Sequence, residues 1–186
     1  MSDTIKWLQK PEPYTRWERI PYAHAPGFIR KAYGPRKCLY NLRDDLKFVW
    51  QGKYTITMRK GIVCDLASVP NLIPRFIASK TQRDNWLDTG AGAHDMGHLG
   101  VAEFPGVKRG RKQCRMFDAL MLDLWRDAQG ERDGSTLVRW WRHGRPRRKY
   151  WGVRIASPFL WRPDYRNLKP EWMAITDNKK ESNENN

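Results

Sequence analysis

Cys64-Asp65-Leu66-Ala67-Ser68-Val69-Pro70, followed further on by Ala91-Gly92-Ala93-His94-Asp95-Met96-Gly97-His98, is the pair of stretches from which the fold of this chain is read. The first is a polar Asp-x-x-Ser turn closed by proline and entered from the apolar residues Ile62 and Val63. The second is rich in small residues and holds two of the four histidines. On a helix, residues four apart share a face, so His94 and His98 would both reach a single metal ion. Asp95 would lie about 100° round from His94, where it either ligates or orients a ligand.

Upstream, Cys38–Leu42, Leu46–Trp50 and Tyr54–Met58 are short, β-branched or aromatic, and partly alternating. They read as strands, with turns at Gln51-Gly52-Lys53 and Lys60-Gly61. A small antiparallel meander is expected to deliver the chain into the Asp65 turn. Downstream, a helix is expected to start near Thr81 as N-cap, with Leu87, Ala91, His94 and His98 on one stripe. Gly90, Gly92 and Gly97 disfavour a helix, so either they let another backbone approach or the helix is interrupted. A second helix is expected from Arg111 to Ala128, with an apolar stripe of Cys114, Phe117, Leu120, Met121, Leu124 and Trp125. Asp118 falls on the border of that stripe and Asp123 points away from it. A carboxylate in that position needs a partner, either an arginine or a metal. Shorter helices are expected over 135–143 and 145–155.

The fold class expected from these elements is α+β: a small antiparallel β-meander packed against three or four helices, with an extended N-terminal arm. Residues 1–34 form the arm, rich in Pro and aromatics. Residues 35–172 form a single domain, and 173–186 a disordered polar tail. His24, in the arm, is read as an incidental loop histidine.

The net charge of the 186 residues is +15, concentrated in 1–60 and 135–172, whereas 61–134 has ten basic and ten acidic residues. Two basic segments around a neutral centre suggest a polyanionic partner such as nucleic acid. Arg142, Arg145, Arg147, Arg148 and Lys149 interleave with Trp151 and other aromatics, a composition suited to phosphate contact and base stacking; the same aromatics also suit a core. Three cysteines, Cys38, Cys64 and Cys114, match no disulfide or zinc framework and read as reduced thiols. No apolar run follows Met1 to suggest a signal peptide, and no window is long enough for a membrane span.

The order of motifs is informative in itself. A strand leads into Asp65-x-Ala67-Ser68-x-Pro70. His94-Asp95-x-x-His98 and Asp118-Ala119-Leu120 follow, and Tyr150-Trp151-x-Val153-Arg154 closes the pattern. Over roughly residues 38–155 this resembles the phage- and prophage-encoded family called domain of unknown function 1353. Its members show a Thr-Asp-x-Ala-Ser-x-Pro turn, a His-Asp-x-x-Tyr motif and a downstream helical Asp. Here Cys64 and His98 stand in place of the usual Thr and Tyr. The resemblance implies a phage origin, hence the host cytoplasm or a virion, and a shared polar site at Asp65, His94, Asp95 and Asp118. His-Asp-x-Gly-His is also similar to the centre of HD-type metal phosphohydrolases, whose upstream His has only His24 to match it.

Two functions follow as expectations. The first is a metal-dependent hydrolase of a phosphate-containing substrate, nucleotide or nucleic acid. His94, Asp95, His98 and Asp118 would hold Zn, Mn or Mg, with Asp65, Ser68 and Asp95 in catalytic roles. The second is a non-catalytic virion, morphogenesis or DNA-binding accessory protein in which the His-Asp motif is a hydrogen-bond lock.

Overall fold

The computed structural model describes residues 4–9, 17–33, 39–65, 85–108, 110–132 and 170–178. Seven strands and three α-helices lie among them. They are β1 (Ile5–Gln9), β2 (Trp17–Ile20), α1 (Gly27–Tyr33), β3 (Leu39–Leu42), β4 (Leu46–Trp50), β5 (Tyr54–Met58), β6 (Val63–Cys64), α2 (Asn85–His98), α3 (Arg111–Arg132) and β7 (Met173–Asp177). The fold is α+β, with one antiparallel sheet ordered β1-β4-β5-β7 and a second ordered β2-β3-β6.

The four expected strands are present, yet they do not form one meander. Only β4 and β5 pair as a hairpin, with Phe48 opposite Ile56 and Trp50 opposite Tyr54. The outer edges of that hairpin are taken by β1 and β7, from opposite ends of the described chain. β3 pairs instead with β2 and β6, and Leu42 exchanges backbone hydrogen bonds with the Gly61–Ile62 segment. Alternation decides which face each strand buries: Leu46, Phe48 and Trp50 face inward on β4, as do Tyr54, Ile56 and Met58 on β5. Fully burying one such side chain stabilises by about 1.5–3 kcal/mol.

Two expectations about the chain ends are corrected. The segment read as an extended arm contains β1, β2 and α1, and Ile29 of α1 is fully buried. Its aromatic residues pack on the sheet, with Trp7 5.1 Å from Phe48 between ring centroids. The segment read as a disordered tail begins with β7, where Met173 is buried and Ile175 half-buried on the inward side. Two well-spaced apolar residues are enough to seat a five-residue edge strand. The helices expected over 135–155 lie outside the described residues.

α2 and α3 pack directly on one another, and glycines set how closely. A Cβ on Gly97 would collide with the Phe117 ring, and one on Gly90 would come within 2.7 Å of Trp125 and 2.9 Å of the Met121 carbonyl. α2 therefore runs uninterrupted through its glycines, and α3 fills the space they leave. All six residues of the apolar stripe predicted for α3 are buried. Among the described residues, no helix is long and apolar enough to cross a membrane.

Candidate metal centre

α2 presents His94 and His98 to α3, and α3 answers with Asp118; all three are buried. The imidazole rings lie against each other, with centroids 4.1 Å apart and planes 32° apart. Both rings turn Nε2 towards the same carboxylate oxygen: Asp118 Oδ1 is 3.2 Å from His94 Nε2 and 3.7 Å from His98 Nε2. Each residue offers one ligand atom, and these atoms all lie within 4.8 Å of one another.

The placement follows from packing one residue away on each helix. Phe117 sits over Gly97 and 4.8 Å from Phe104, so its neighbour Asp118 is carried to the histidine face. Phe104 is fixed in turn by the buried Gln113. Its amide accepts from the Phe104 N–H and donates to the carbonyls of Phe104 and Val107. Sequence reading missed this clamp, and the available signal was a glutamine beside Cys114 on the core-facing side of the helix.

Asp95 lies at the other nitrogen of His94, with Oδ1 3.5 Å from Nδ1. A carboxylate at Nδ1 favours the tautomer that leaves Nε2 free to ligate, the arrangement commonly found behind metal-bound histidines. Asp95 is thus placed to orient His94, outside the group of three ligand atoms.

The donor set fits a divalent ion. Tetrahedral ligands at about 2.0–2.2 Å from a metal sit about 3.3 Å from one another, close to the separations of Asp118 Oδ1 from the two Nε2 atoms. The buried His94 Nε2 lies within ion-pair distance of Asp118 but is not aligned with it as a hydrogen bond. Two imidazole nitrogens and a carboxylate oxygen brought this close could share one cation. Two imidazoles and a carboxylate suit Zn or Mn better than Mg, which prefers oxygen ligands.

Metal-free, the groups of the cluster shift one another's protonation. Burial acts against charge on His94, but Asp118 and then Asp95 overcome it and hold the imidazole up at about 9. Burial works in the same sense on His98, and the neighbouring His94 charge adds to it, so His98 is pushed below 6.5. Burial also opposes the Asp118 carboxylate, yet the two histidines bring it down to about 2. Cys114, one turn before Asp118, is raised to about 11 by burial and by that carboxylate, which makes it an inert thiol.

Of the remaining expected site residues, Asp65 is buried directly after β6, a strand that packs against α2, but it does not belong to the three-ligand group. Ser68, Arg142, Arg145, Arg147, Arg148, Lys149 and Trp151 lie outside the described residues. His24 is exposed on a short turn, so the upstream histidine of an HD-type site is not supplied by it. No family model matches this chain, and neither does any curated protein or any solved structure.

Proposed function

We propose that this protein is a metal-dependent hydrolase of a phosphate-containing substrate, of phage origin as the order of its motifs implies. The observation that carries the reading is the convergence of His94 Nε2, His98 Nε2 and Asp118 Oδ1 in a buried cluster, with Asp95 behind His94. Three protein ligands leave a coordination position open, which distinguishes catalytic from purely structural zinc sites. A divalent ion there supplies Lewis acidity and lowers the pKa of water at the open position. His94, His98 and Asp118 hold the ion, and Asp95 fixes the His94 ring. The charge of +15 suits a phosphate-bearing substrate, nucleotide or nucleic acid, met in the host cytoplasm.

One observation favours a second reading. With His94 held charged up to about 9 between Asp95 of α2 and Asp118 of α3, the cluster would join α2 to α3 by an ion pair without any metal. On that reading the protein is a non-catalytic virion or DNA-binding accessory component.

Elemental analysis of tag-free protein, repeated after incubation with Zn and Mn, separates the two. About one equivalent of metal in the wild type, lost in His94→Ala and Asp118→Ala, supports the hydrolase and is followed by phosphodiester and nucleotide turnover. Failure to retain metal under both conditions leaves the lock.

A further inference from the structure

Half of the ten cations in the neutral central segment fall in one run. Lys108, Arg109, Arg111, Lys112 and Arg115 lie between Glu103 and Asp118 with no acid among them. A charge count over the whole segment hides this. In the structure Lys108, Arg111, Lys112 and Arg115 are all exposed. Residues 111, 112 and 115 share one side of the first turns of α3 by helical spacing, while Gln113, Cys114, Phe117 and Asp118 of the same turns are buried. No acid lies in the first turn of α3. Among the described residues none of the four is in an ion pair; Lys6, Arg30, Lys47 and Lys60 are likewise exposed and unpaired but are scattered along the chain, whereas these four fall in one run.

Cations at the start of a helix are opposed by its dipole and by one another. A face that gathers them without internal neutralisation gains from an external anion. We infer that the exposed face formed by Lys108, Arg111, Lys112 and Arg115 is a contact surface for the phosphate backbone of double-stranded DNA. Arg111, Lys112 and Arg115 on the first turns of α3, with Lys108 just before the helix, suit successive phosphates, which are met by paired N–H donors and by point charges. A membrane surface fits less well. Peripheral helices combine basic residues with inserted apolar ones, and among the described residues the exposed large apolar side chain is Leu8, on β1. The inference deepens the proposed function by naming duplex DNA as the substrate class. It rests on that reading for turnover but not for binding. Arg115 precedes the ligand Asp118 by three residues, about 4.5 Å along the helix axis.

The test is fluorescence anisotropy of a labelled DNA duplex over a range of salt concentrations, in EDTA. Wild type is compared with Lys108→Gln/Arg111→Gln/Lys112→Gln/Arg115→Gln. A control, Lys6→Gln/Arg30→Gln/Lys47→Gln/Lys60→Gln, removes the same number of exposed charges elsewhere. Each lost phosphate contact reduces the slope of log K against log salt by about 0.9, so the α3 variant loses about 3–4 of slope. It also binds at least ~100-fold more weakly near 0.1 M salt. The control keeps its slope to within about 1. Equal losses in both variants, wild-type slope in the α3 variant, or tighter binding of wild type to phosphatidylserine vesicles than to duplex would each overturn the inference. Because EDTA is present, a failed metal reading leaves this result standing. Metal analysis of the α3 variant, expected to match wild type, shows that the two surfaces were tested separately.

Discussion

α3 carries three aspartates that the fold puts to different uses. Asp118 faces α2 and meets two imidazoles. Asp123 and Asp127 face the four-stranded sheet and accept the indole N–H groups of Trp50 at 3.0 Å and Trp7 at 2.7 Å. The residue type and the helix are the same, but the partners differ. The indole donors cannot change protonation, and the Arg126 guanidinium 3.4 Å from Asp123 stays charged, so the sheet side is a passive anchor. Titratable imidazoles, of a kind that can also ligate a metal, make the α2 side sensitive to pH. What Asp118 does is thus set by the face it occupies, five residues from Asp123 and nine from Asp127.

The largest expected contrast comes from deleting the carboxylate on each side. Asp118→Ala leaves His94 and His98 buried without the group that balances them. Removing one partner of a buried pair costs about 3–5 kcal/mol. Urea unfolding near pH 6.5 measures this, and added Zn should raise the midpoint of the wild type alone. A loss below about 1 kcal/mol would mean that Asp118 is no more demanding than the sheet-facing pair.

The pH dependence of the metal-free protein comes next. Between pH 6.5 and 9 the fold binds a proton on His94 that the unfolded chain does not, so stability falls as pH rises. Below 6.5 the unfolded chain protonates both histidines while the fold protonates only His94, because His98 is held below its ordinary value. Stability therefore falls again as pH drops, and below 3.8 Asp118, held at about 2, adds to the loss. The cluster alone places the stability maximum near pH 6.5, and the alkaline limb is worth on the order of 3 kcal/mol. Thermal melts from pH 4 to 10, taken as the difference between wild type and His94→Gln, isolate this term. A difference curve flat from 6.5 to 9 would remove His94 as a charged partner of Asp118.

The approach of the helices is tested at Gly97. Alanine there gains about 1 kcal/mol of helix propensity, yet its methyl meets Phe117, which is itself packed on Phe104. Overpacking of this kind costs about 1–3 kcal/mol, so Gly97→Ala is expected to be less stable and to bind Zn more weakly. Adding Phe117→Leu should recover part of both. Unchanged Zn affinity in Gly97→Ala would separate the packing from the ligand geometry.

How much of this was legible in the sequence depends on how local each signal is. The four-residue spacing of His94 and His98 and the border position of Asp118 on its helical stripe need only helical periodicity, and the structure brings all three together. The strands of residues 39–64 were legible one by one, but their partition into two sheets was not. That partition depends on β1 and β7, whose registers with β4 and β5 join residues about 40 and 120 positions apart. β7 was hidden because Met173 and Ile175 are its only strongly apolar residues, set beside a polar tail. The glycines were read as either a close approach or a break, and only the position of Phe117 chooses between these. The two indole anchors left no signal, because a tryptophan and an aspartate more than 70 residues apart carry no local pattern.

The smallest expected effects lie within the sheet-facing pair, and they differ from each other. The Trp50 side chain is almost wholly buried, so Asp123→Ala leaves its indole N–H without an acceptor where water cannot reach, at a cost of about 1–2 kcal/mol. Trp7 is only half-buried on the edge strand β1, so water replaces the lost carboxylate in Asp127→Ala, and about 0.5 kcal/mol is expected. Asp123→Asn keeps an accepting oxygen and should recover most of the first loss. Neither alanine variant should alter metal content or the position of the pH maximum, since neither residue touches the histidines. A shift of that maximum in Asp123→Ala would show that the two faces of α3 are coupled through the helix, and that its aspartates cannot be treated as independent.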